Sequence, residues 1–92
     1  MVTPRADEIT LSGRVTALFG AHLFAVGSGA ERVVVVTATP VRVSIGSDVD
    51  VTGRVRTFRR QEIETELGVD LGERANELEE TSCLLASVAR LR

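Results

Sequence analysis

Five arginines in this chain have the types and spacing of an anion-binding surface. Arg14, Arg54 and Arg56 fall in runs that alternate polar and apolar residues, and Arg59 and Arg60 follow directly. A guanidinium presents forked donors that match phosphate and carboxylate. Single-stranded nucleic acid is held by such a basic groove together with aromatic faces on which bases stack, at ~1–3 kcal/mol per base. The chain has three phenylalanines and no Trp or Tyr. Phe24 shares a strand face with Val26 and reads as core, so Phe19 and Phe58 are the stacking candidates. The charge half of a nucleic-acid site is therefore present and the stacking half is poor.

Other chemistry finds less support. The chain holds one His and one Cys, which makes no zinc set. His22 has no Ser or Cys partner at a motif spacing and reads as a partly buried residue at a barrel end. Cys83 lies in an apolar run and reads as a small buried hydrophobe. Asp48 and Asp50 could offer oxygen to Ca²⁺, but a calcium loop needs more ligands in register. Glu62, Glu64 and Glu66 splay around the axis if the segment is helical. Gly27-Ser28-Gly29 lacks the Lys-Ser/Thr and the helix of a phosphate loop. The expectation is no enzyme, no catalytic residue, no metal and no cofactor.

What must position the arginines is a set of strands. Leu11-Ser12-Gly13-Arg14-Val15 is echoed by Val51-Thr52-Gly53-Arg54-Val55. A glycine at the centre of a strand marks a bend or the close approach of another backbone. Period-two alternation predicts a strand from Glu8 to Ala17, with Ile9, Leu11, Gly13 and Val15 inward. A second covers His22–Val26. A third, Arg32–Thr37, carries four consecutive valines at positions 33–36. Val41–Ile45 reads as a short edge segment after Pro40. Asp48–Phe58 reads as the long fourth strand, with Val49, Val51, Gly53 and Val55 inward and Asp50, Thr52, Arg54 and Arg56 outward. The last strand is expected over Ser82–Leu91, with Leu84, Ala86 and Val88 inward.

Between the fourth and last strands the period becomes helical. Ile63 and Leu67, then Leu71, Ala75 and Leu78, share faces at helical spacing, and Gly68 divides the segment into two short helices. Asp70 and Glu73 have the spacing of a capping pair for the second. Residues 1–61 carry eight arginines against five acids, whereas residues 62–92 carry three against eight. Arg60–Glu64 and Arg59–Glu62 have helical ion-pair spacing. An acidic segment that folds back over basic strands would neutralise them.

Five strands, two glycine bends and a helical insertion resemble the oligonucleotide/oligosaccharide-binding (OB) fold. The carrying residues are Leu11-x-Gly13-x-Val15, Phe24-x-Val26, Val33–Val36 and Gly46-x-x-Val49-x-Val51-x-Gly53-x-Val55. The resemblance implies that the first and fourth strands are neighbours. It departs from the usual pattern, in which the helix lies between strands three and four. The Val49–Phe58 run followed by Glu64–Leu71 also looks like small uncharacterised bacterial OB domains, which often sit behind an export or membrane segment. The reading is a mainly β fold: a five-stranded OB-like barrel, closed or partly open, with one or two short helices between strands 4 and 5. Residues 1–7 form a flexible lead-in and residues 8–92 a single barrel domain.

The functional expectation is a non-catalytic binding module with a protein partner. Its rivals are single-stranded DNA or RNA binding through Arg14, Arg54, Arg56, Arg59, Arg60, Phe19 and Phe58, and an exported module for a small ligand or saccharide. No stretch has the ~20 apolar residues that span a bilayer. The chain as it stands reads as cytoplasmic, or as exported or tethered if a leader precedes it. An exposed edge beside Val41–Ile45 could pair two copies.

Overall fold

The computed structural model of the chain describes residues 8–28 and 31–91. The expected lead-in at residues 1–7, Gly29 of the expected turn, and Arg92 lie outside them. Five strands, β1 (Glu8–Gly20), β2 (Leu23–Ser28), β3 (Glu31–Thr37), β4 (Asp48–Thr57) and β5 (Ser82–Leu91), close into a barrel of order β1-β2-β3-β5-β4. Helix α1 (Arg60–Leu67) and a 3-10 helix (Glu73–Leu78) separate β4 from β5, where the change of period predicts them. β3 and β5 run parallel from Val34 opposite Cys83 to Thr37 opposite Ala86. The remaining pairs are antiparallel.

β1 and β4 are neighbours, but their glycines do not face each other. Gly13 lies opposite Val49, and Gly53 opposite Ile9. Each glycine instead admits the strand on its other side. A Cβ on Gly13 would overlap the Gly27 carbonyl oxygen and the Val26 side chain of β2. One on Gly53 would overlap the Leu85 carbonyl oxygen and the Ala86 Cα of β5. The echoed phrase thus marks two close backbone approaches, one on each flank of the β1–β4 pair, which let a narrow barrel close.

The barrel holds two apolar cores. Val15, Phe24, Val26, Val35, Val49, Val51 and Leu84 fill its interior. A second core lies between the outer face of β2, β3 and β5 and the helical cap: Leu23, Val34, Val36 and Cys83 meet Phe58, Ile63, Leu71, Ala75 and Leu78. The valine run has its reason here. Val35 faces the interior while Val34 and Val36 face the cap, so β3 is apolar on both sides. The adjacent Cys83 and Leu84 divide β5 between the two cores in the same way.

Departures from strict alternation have local causes. β1 continues past Ala17 to Gly20 through irregularities between Val15 and Ala17 and between Leu18 and Gly20. Ile9 and Val55, expected inward, are 42% and 51% exposed. Described pairing of β1 with β4 begins at Glu8 opposite Arg54, so Val55 projects past it. In β5, Ala86 pairs Gly53 and Val88 pairs Thr52, which leaves Ser87 as an extra residue. This bulge resets the parity. Ala89 therefore packs on the barrel core, and Val88, expected inward, is 44% exposed.

Val41–Ile45 is not a strand. The segment closes one barrel end as a loop, with Val41 and Val43 packed on the interior core. Its hydrogen bonds run from Val41 N–H to Ala21 O (3.1 Å) and from Gly46 N–H to Val15 O (2.8 Å). Both acceptors belong to β1 or the turn after it, so no ladder forms.

Candidate interaction surface

The cap brings its acids against the arginines at the end of β4 and just after it. α1 has no side-chain cap of its own. Instead Glu79 Oε1 accepts the Arg60 N–H at 2.6 Å and satisfies one of the free donors of the first turn. Gly68 ends the helix in the left-handed region, at φ 69°. The chain then turns so that Glu64 Oε2 accepts the Leu71 N–H at 2.8 Å and Arg60 Nε at 3.2 Å. The expected Asp70–Glu73 capping pair does not form. The residue preceding the 3-10 helix is Gly72, which carries no side chain. Asp70 Oδ1 accepts the Gly72 N–H at 2.9 Å. That bond, then Glu64 and Arg60, holds the Asp70 carboxyl below its ordinary range. Its contribution to the turn is present above the ordinary carboxylate range and is lost as pH falls through the depressed value.

Glu64 is the hinge of this arrangement, and its replacement measures it. Glu64→Ala leaves the Leu71 N–H without its acceptor in a half-buried turn and is expected to cost ~1–2 kcal/mol in urea unfolding. Glu64→Gln keeps an acceptor and is expected to cost roughly half as much. Equal losses from the two variants would contradict the role of the Leu71 bond.

The five candidate arginines fare differently. Arg56 is flanked by Glu66 (2.5 Å) and Glu62 (3.6 Å) of α1. Arg59 meets Glu80 at 3.2 Å rather than the expected Glu62. Arg60 meets Glu64 at 3.2 Å, as its spacing predicts, and Asp70 at 3.6 Å. Arg14 lies at the other end of the β1–β4 pair, 3.4 Å from Asp48. Arg54 alone of the five has no ion-pair partner among the described residues. These pairs are exposed or half-exposed, and each is worth little on its own. Their consequence is local charge: acids from the cap occupy the guanidinium faces that a phosphate would need.

The aromatic candidates separate as well. Phe58 is fully buried in the second core and offers no face to a base. Phe19 is half-buried and is approached by two cations that its sequence neighbours do not disclose. The Arg74 guanidinium lies 4.9 Å and that of Arg32 5.8 Å from the ring centroid. Arg74 also donates to Leu18 O at 2.9 Å. The fold brings these three residues together from β1, β3 and the 3-10 helix, so no local spacing signals them.

The remaining reactive types are engaged structurally. The His22 Nδ1 lies 3.0 Å from the Thr37 carbonyl oxygen. Burial raises the Cys83 thiol to about 11, with Arg56 opposing weakly. The thiol form therefore persists at neutral pH, and native protein is expected to resist alkylation that denatured protein accepts. Ser12 donates to Asp50 at 2.6 Å. Among the described residues no three His, Cys, Asp or Glu side chains converge as a metal site, and no helix is long and apolar enough to cross a membrane.

Part of the surface that stays open is apolar. Ile45 and Leu91 are 66% and 58% exposed. Both lie at the barrel end where β4 begins, since Leu91 pairs Val49 and Ile45 precedes the turn into β4. No known protein family, curated protein or solved structure matches this chain. Its surface must therefore be read from its own residues.

Proposed function

We propose that this chain is a non-catalytic binding module on an OB-type barrel and that it engages a protein. The adjacency of β1 and β4 supports the OB assignment; the cap between β4 and β5, rather than between the third and fourth strands, is its departure from that pattern. One observation carries the choice of partner. Arg56, Arg59 and Arg60 are met by cap carboxylates, and Phe58 is sealed in the core. Three of the five candidate cations and one of the two candidate stacking faces of a single-strand groove are thereby engaged within the fold. Exposed aliphatic side chains at one barrel end are the kind of surface that a protein covers.

The rival reading keeps one argument. Arg54 has no acid partner among the described residues, and Arg32 and Arg74 gather on Phe19. Fluorescence anisotropy with labelled single-stranded DNA and RNA at low salt separates the two. The proposal expects a flat titration. Saturable binding that weakens steeply with salt and is lost in Arg54→Ala or Arg74→Ala would replace it with nucleic-acid binding.

A further inference from the structure

The strand directions collect acid-free parts of the chain at one end of the barrel. β1, β3 and β5 run towards that end and β4 starts from it. Residues 9–30, 32–47 and 81–92 contain no Asp or Glu. The loop after β3 closes this end on its way to β4. The acids that the strands bring here are Asp48 and Asp50 of β4. Asp48 lies 3.4 Å from Arg14, and Asp50 accepts Ser12 Oγ at 2.6 Å and stands opposite Arg90 in the ladder. Arg42 of the loop and Arg90 of β5 are exposed, and neither meets an acid at ion-pair distance among the described residues. At the same end Ile45 and Leu91 are exposed. A cleft of about 170 Å³ opens between β5 and the loop, with Val41, Ala86 and Ala89 among its walls.

We propose that this end docks a protein segment rich in both carboxylates and aliphatic side chains. The inference rests on the reading that the partner is protein and names the chemistry of its contact. The chain as a whole carries a net charge of −2, whereas Arg42 and Arg90 leave this end positive. An acidic segment is therefore steered to this end and away from the rest of the surface. Each guanidinium can hold a carboxylate in forked geometry. Ile45, Leu91 and the cleft add apolar area that a partner's aliphatic side chains remove from water. A phosphate backbone would leave those side chains uncovered, and an anionic bilayer is held by far larger apolar faces, such as that of an amphipathic helix. The strand edge expected at Val41–Ile45 is absent, so the contact is made by side chains rather than by strand addition.

Selection from a random dodecapeptide library on the immobilised protein tests the docking. Peptides that combine Asp or Glu with Leu, Ile or Val are expected to be enriched. In nuclear magnetic resonance titrations of isotope-labelled protein, the selected peptides should shift the Arg42, Ile45, Arg90 and Leu91 amides. The double variant Arg42→Glu, Arg90→Glu alters two exposed side chains and should leave circular dichroism unchanged. It is expected to weaken peptide binding at least about tenfold through like-charge repulsion. Ile45→Ser is expected to weaken it about threefold through lost apolar area. An empty selection, enriched peptides without acids, or peptides that bind the double variant as tightly as wild type overturn the proposal. Binding to phosphatidylserine vesicles that the double variant loses, with no peptide enriched, overturns it in favour of a bilayer. Peptides that bind another face remove this site and leave the protein-binding reading standing; salt-sensitive oligonucleotide binding removes both.

Discussion

Replacing Gly53 with alanine is expected to lower the unfolding free energy by about 3 kcal/mol, at the upper end of overpacking costs. The reason is what the added methyl would meet. Its nearest neighbours are the Leu85 carbonyl oxygen, the Leu85 carbonyl carbon and the Ala86 Cα. All three are backbone, so no rotamer change relieves the overlap and β5 itself must move. That movement disturbs the bulge at Ser87 and the closure of the barrel. A domain of this length is stable by roughly 5–14 kcal/mol, so the loss is a large fraction of the total. Gly13→Ala should also be severe, although one of its neighbours is the movable Val26 side chain. Gly46→Ala is the control: its position is open, with nothing within 4 Å. Only its φ of 96° resists a side chain, a strain of ~1–2 kcal/mol. Urea unfolding of the three variants should rank Gly53 worst and Gly46 mildest. A Gly53→Ala protein as stable as wild type would contradict the close approach of β4 and β5.

Phe58→Ala is expected to cost about 4 kcal/mol, within the range for deleting a buried aromatic side chain. Phe58 lies between the end of β4 and the start of the cap. Its side chain is fully buried in the second core. Its backbone is held at both ends, with Phe58 N–H donating to Thr81 O at 2.7 Å and Glu80 N–H donating to Phe58 O at 2.9 Å. Removing the ring leaves a cavity in the core between barrel and cap and loosens the seat of α1, whose Glu62 and Glu66 face Arg56. Phe58→Leu should cost clearly less, because it refills most of the volume. Thermal and urea unfolding measure both. If Phe58→Ala left stability unchanged and altered only oligonucleotide binding, the ring would be a ligand contact rather than a core residue.

These two residues also show where sequence reading reaches and where it stops. The glycine echo pointed correctly to a tightly closed sheet, because a strand glycine has few other reasons to exist. It could not say which backbone each glycine admits, since that depends on strand order. The change from period two to helical spacing located the cap for a similar reason: periodicity is local. The four valines of β3 were legible as a strand, but their division between two cores was not, because nothing in a run of valines says which face is covered. A single extra residue in β5, Ser87, reversed the inward face of everything after it. Arg60–Glu64 was legible at four residues' separation. Arg59–Glu80 and the Arg74–Phe19 contact were not, because they join positions that only the folded chain brings together.

The central claim is that the cap is part of the same folding unit as the barrel, so that its Glu62 and Glu66 stay beside Arg56 of β4. An alternative would be a lid that opens and bares Arg56 of β4. Native-state amide exchange distinguishes these most directly, because it reports the free energy of opening residue by residue. The account predicts that the Ile63, Leu71 and Ala75 amides of the cap exchange with the same opening free energy as Val35 and Val51 of the barrel, and that all of them match global unfolding. Cap amides that exchange through a separate, much cheaper opening while the barrel stays protected would contradict it.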